Sequence, residues 1–123
     1  PDKPPSAAAL HAKRIRTEAQ QLRENERLCF SILSDYAHVL RDWKVRYAPQ
    51  SPAEAPDERF VEACHKLDEV EYYLDILTSG NSYERSEVIH QQMANGKLDR
   101  LRQRLEKIHE GEIEDGYDTA DVA

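Results

Sequence analysis

The sequence predicts an all-α fold: a three-helix antiparallel bundle with one long N-terminal helix, or four helices if the last stretch breaks near Asn95-Gly96. Three observations carry this. Apolar residues recur at helical spacing through most of the chain, proline- and glycine-rich breakers separate the periodic stretches, and no window shows period-two alternation between turn residues.

The first helix is predicted over residues 7–47. Its stripe runs Ala8, Ala12, Ile15, Ala19, Leu22, Glu26, Cys29, Leu33, Tyr36, Leu40, Trp43 and Tyr47. Steps of four and three place these residues on one seam, broken in character only by Glu26. Such a helix is about 60 Å long, roughly twice the span of a small compact domain, so part of it is expected to need a partner. From Leu28 the apolar face widens to take in Phe30, Ile32, Ala37 and Val39, the composition of a bundle core. From Ala7 to Arg27 the stripe is narrow and rich in alanine, flanked by Lys13, Arg14, Arg16, Arg23 and Arg27, as expected of an overhang or a two-stranded seam.

Pro49, Pro52 and Pro56 end that helix and leave a linker. Asp57 stands at an N-cap position, and Phe60, Ala63, Leu67, Val70, Leu74 and Leu77 predict a second helix over 58–78. Gly80 suits a left-handed helix-closing residue, and Asn81 with Glu84 resembles a capping box. Residues 82–110 then form one bent or broken helix, weak at Asn95-Gly96 and ended by Gly111. The domain reading is a linker over 1–6, one bundle over 7–110 and an acidic tail over 111–123, in which Ile113, Tyr117 and Val122 could anchor against a basic face.

Charge is segregated along the chain, whose net value is −7. Bases and acids number nine and six over 1–47, two and eight over 48–80, five and three over 81–105, and one and seven over 106–123. Opposite signs on successive segments favour their pairing. The acidic balance, with a pI of about 5.2, weighs against nucleic acid as a partner. No apolar run approaches the roughly twenty residues of a membrane span, and the polar, proline-rich start lacks the apolar core of a signal peptide. Cys29 and Cys64 fall on apolar stripes without CxxC spacing and are expected as buried free thiols, which places the chain inside the cell, cytoplasmic or nuclear.

Three constellations could carry chemistry. Glu-x-x-His occurs at Glu62/His65, Glu87/His90 and Glu106/His109, a spacing used by metal-binding helical bundles. The second-helix seam, however, turns Glu62 and His65 outward, and Glu106 and His109 flank the leucine stripe, so neither metal nor cofactor is expected. Glu69, Glu71, Tyr72, Tyr73 and Asp75 are expected as a solvated face with tyrosines at the bundle edge. The third is Arg85-Ser-Glu-Val-Ile-His90. It resembles the Arg-x4-6-His signature of HEPN nucleases, all-α dimeric proteins of about this length. That resemblance implies RNA cleavage by Arg85 and His90 at a dimer cleft, His as general acid or base and Arg neutralising the phosphate. It covers six residues; Ser86 stands where the family often has Asn or Asp, and Arg59/His65, Arg102/His109 and Arg104/His109 fit the spacing equally.

The functional expectation from the chain as a whole is a non-enzymatic assembly module, its long N-terminal helix self-associating or pairing with a helical partner subunit. The contact residues are Ala8, Ala12, Ile15, Ala19, Leu22 and Glu26, with Arg16 and Arg23 as flanking charges that set register.

Overall fold

A computed structural model describes residues 3–111. Four α-helices follow in order: α1 (Ala7–Arg46), α2 (Glu58–Ser79), α3 (Ser82–Met93) and α4 (Lys97–His109), with a 3-10 turn (Ala94–Gly96) between the last two. The expected anchors of the acidic tail lie outside the described residues.

Each boundary has a local cause. The Ser6 hydroxyl accepts from Ala9 N at the head of α1, and Lys44 and Arg46 sit at its carboxyl end, where the helix dipole favours cations. Asp57 caps α2 by accepting from Arg59 N at 2.8 Å, while the Arg59 guanidinium closes on the same carboxylate at 2.6 Å. This pairing holds the Asp57 carboxyl below its ordinary range. The capping box at α3 is complete, Glu84 N donating to the Asn81 side chain and Asn81 N to that of Glu84.

Gly80 corrects one expectation. It is extended, at φ −75° and ψ 163°, rather than left-handed. Glycine is required there by closeness, since a Cβ would come within 2.6 Å of the Ile76 carbonyl oxygen. At the predicted weak point the chain breaks fully: Asn95 and Gly96 both adopt left-handed conformations, at φ 58° and 70°. Two such residues in succession end α3 and restart the chain as α4 in a new direction.

The core lies under the C-terminal half of α1. Cys29, Leu33, Ala37, Leu40 and Trp43 are buried there with Ala63, Leu67, Val70 and Leu77 of α2, Val88 and Ile89 of α3, and Leu98, Leu105 and Ile108 of α4. α2 runs antiparallel to α1, with Arg59 stacked 3.6 Å over the Tyr47 ring at one end and Leu77 beside Phe30 at the other. α3 returns in the sense of α1, its Arg85 paired with Glu26 and its Gln92 beside Leu33 and Tyr36. Leu28 and Phe30, expected in the core, are exposed, Phe30 lying at the rim of a groove with Leu77 and Thr78 of α2.

The two cysteines differ. Cys29 is fully buried, and loss of solvent, with Glu26 nearby, pushes its thiol up to about 11; Cys64 is exposed, one position beyond the inward Ala63. The expectation that both are buried therefore fails for Cys64. At pH 8 a thiol-specific chromogenic reagent should titrate one group per native chain and a second only in denaturant, because the thiolate is the reacting form and Cys29 is both shielded and protonated. Two fast groups in the native protein would contradict the packing around Cys29.

Candidate functional site

α1 continues well past the elements that cover it. From Ala7 to Leu28 no residue is buried, and Cys29 is the first that is. Within this overhang the Ile15 side chain is 50% exposed and Leu22 52%. Ala12 and Ala19 are half-buried, and Ala8, Arg16 and Arg23 are exposed. The stretch from Ala7 to Asn25 spans about 28 Å. Its side-chain hydrogen bonds stay within the helix: Arg14 to His11, Thr17 to the Lys13 carbonyl, Gln20 to Glu24 and Gln21 to Asn25.

The covered part begins at Glu26. Its carboxylate pairs with Arg85 Nε at 3.3 Å, both side chains about one-third exposed. On one side of this point Arg23, Glu26, Arg27 and Phe30 line a shallow groove with Leu77 and Thr78; on the other, Leu22 and Asn25 share a cleft with Tyr83, Ile89, His90 and Met93. The ends of α2 and α3 thus flank the seam where the overhang starts, and Tyr83, 73% exposed, extends its apolar surface sideways from Leu22.

Arg85 and His90 do not meet. Arg85 is turned to α1, pairing with Glu26 and donating to the Gly80 carbonyl at 2.5 Å, while His90 is exposed in the Leu22 cleft. Five residues on a helix correspond to a rotation of about 140°, so the two side chains leave α3 on different faces. Of the carboxylate–histidine pairs, His65 and Glu87 are exposed, and His109 joins Asp35 at 2.9 Å, tying the end of α4 to α1. Among the described residues no group of His, Cys, Asp and Glu could hold a metal ion, and no helix is long and apolar enough to cross a membrane.

Glu62 corrects the sequence reading. Instead of facing outward it sits between α1 and α4 with 14% of its side chain exposed, accepting from Tyr36 Oη at 2.9 Å and from Arg104 Nη1 at 3.0 Å. Arg104 also lies 5.7 Å from the Trp43 ring. Burial, with the Glu62 carboxylate second, raises the Tyr36 hydroxyl far above its ordinary range, so it stays protonated and donates. The sequence signal missed was Arg104, a base on α4 that meets the part-buried carboxylate. The aromatic–carboxylate face behaves as expected: Tyr73 donates to Glu69, Glu71 pairs with Arg41, and Tyr72 is exposed.

Comparisons of the chain with protein-family models, with curated proteins and with solved structures gave no match.

Proposed function

We propose that the chain is a helical assembly module whose α1 overhang pairs with another helix. The observation that carries this is the continuity of one seam across two environments. Ala8, Ala12, Ile15, Ala19 and Leu22 hold the register whose continuation, Cys29, Leu33, Tyr36, Leu40 and Trp43, forms the core, yet none of them is buried by the described chain, Leu22 being flanked on one side by α3.

Exposed apolar seams on a helix of this length are unfavourable in isolation, since most helical stability in proteins comes from packing one face rather than from propensity. A helix laid on the seam would bury Ile15 and Leu22 at about 25 cal/mol per Å² of apolar surface removed from water. The alanines allow close approach, and Arg16 and Arg23 border the contact. Where the partner helix is a second copy, the wild-type chain sediments as a multiple of its own mass. Ile15→Asp and Leu22→Asp should each shift it by at least tenfold in dissociation constant toward the single chain, without loss of the bundle's cooperative unfolding. A multimer indifferent to both substitutions would contradict the overhang as the contact.

A further inference from the structure

We propose that the occupant of the overhang is a second copy of the same overhang, laid antiparallel about a two-fold axis at the level of Thr17. This inference rests on the assembly reading and deepens it by naming the partner.

Direction follows from what already occupies the seam. From Cys29 onward it is filled by α2, α3 and α4, and just ahead of it Glu26 is paired with Arg85 while α3 flanks one side of Leu22. A second copy running parallel would carry its own α2 and α3 along the same side of the joint axis, so two bundles would compete for the space beside Glu26. Running antiparallel, the two bundles sit at opposite ends, and each overhang ends where the other's bundle begins.

Register follows from the spacing. Antiparallel helices set the two alternating seam positions against each other. One alignment pairs all six seam residues ahead of Cys29: Ala8 with Glu26, Ala12 with Leu22 and Ile15 with Ala19, each pair occurring twice by symmetry. Moving one heptad deeper sets Ala12 against the fully buried Cys29, which the bundle blocks. Moving one heptad out sets Leu22 against Pro5, outside the helix.

In the allowed alignment each large side chain faces a small one, Leu22 on Ala12 and Ile15 on Ala19, the alternation that lets facing layers interdigitate. Glu26 meets the amino end of the second α1, where the helix dipole favours a carboxylate. On the flanks Arg16 approaches its own copy and Glu18 its own copy; both are exposed, so this repulsion is weak and screened by salt.

The test uses the full chain with Cys64→Ser, removing the exposed thiol. Chains carrying Ile15→Cys and chains carrying Ala19→Cys are mixed, allowed to exchange and oxidised. The antiparallel pairing predicts at least a tenfold excess of the mixed Ile15→Cys/Ala19→Cys disulfide over either symmetric one. An independent measurement leaves the seam intact: spin labels at Glu24→Cys should lie about 21 Å apart along the helix axis, against none for parallel chains.

An excess of symmetric disulfides, or labels at one level, overturns the antiparallel pairing while leaving the assembly reading standing. A wild-type chain that is monomeric at every concentration overturns the second copy as occupant. A dimer whose mass is unchanged by Leu22→Asp overturns the assembly reading itself.

Discussion

Trp43→Ala should remove about 3–5 kcal/mol of stability, read as a lowered urea midpoint with an unchanged slope. Trp43 is only 1% exposed, the largest of the fully buried side chains, and lies where α1, α2 and α4 converge. Its loss leaves a cavity next to Arg104, whose guanidinium lies 5.7 Å from the ring, so the cost combines lost burial with residual void. A domain of this size holds on the order of 5–15 kcal/mol in total, so the variant should be partly unfolded at modest urea concentrations. A change below about 1 kcal/mol would mean that the bundle end is loosely packed.

Glu62→Ala is the second large effect, at about 3 kcal/mol. The substitution removes the acceptor for the Tyr36 hydroxyl and the part-buried carboxylate paired with Arg104 together. Glu62→Gln should recover part of the loss, because the amide oxygen still accepts from Tyr36 while the charge attraction to Arg104 is lost. Adding Tyr36→Phe to Glu62→Ala should also recover stability by removing the stranded donor. Equal stability of Glu62→Ala and the wild type would show the node to be solvent-filled.

The parts of this fold that were legible in the sequence are those set locally. Asp57, the Asn81–Glu84 box and the Asn95-Gly96 pair mark their helix boundaries because capping and left-handed backbone are decided within a few residues. The seam of α1 was legible for the same reason, as its period needs no knowledge of what covers it. What failed depended on direction between elements. Glu62 lies about 100° round α2 from the Ala63–Leu67–Val70 seam, and it is buried only because α4 crosses there after the turn at Asn95 and Gly96. Phe30 and Leu28 read as core by composition but stay exposed, Phe30 at the rim of the groove beside Leu77.

The overhang was legible as a narrow stripe, and the structure adds where it stops. Glu26, the single charge on the seam, is not a buried orphan: its partner is Arg85, the arginine of the nuclease-like spacing. That one ion pair marks the end of the exposed helix and occupies the side chain which a phosphate-binding role would need.

The most direct measurement of the central claim is sedimentation of the full-length wild type beside Leu22→Asp across a wide concentration range. The assembly reading predicts a wild type that rises in mass with concentration to that of two chains, and a Leu22→Asp variant that stays at one chain with its bundle folded. A Leu22→Asp variant that reaches two chains alongside the wild type would contradict it, and a wild type that stays at one chain would contradict the second copy as occupant.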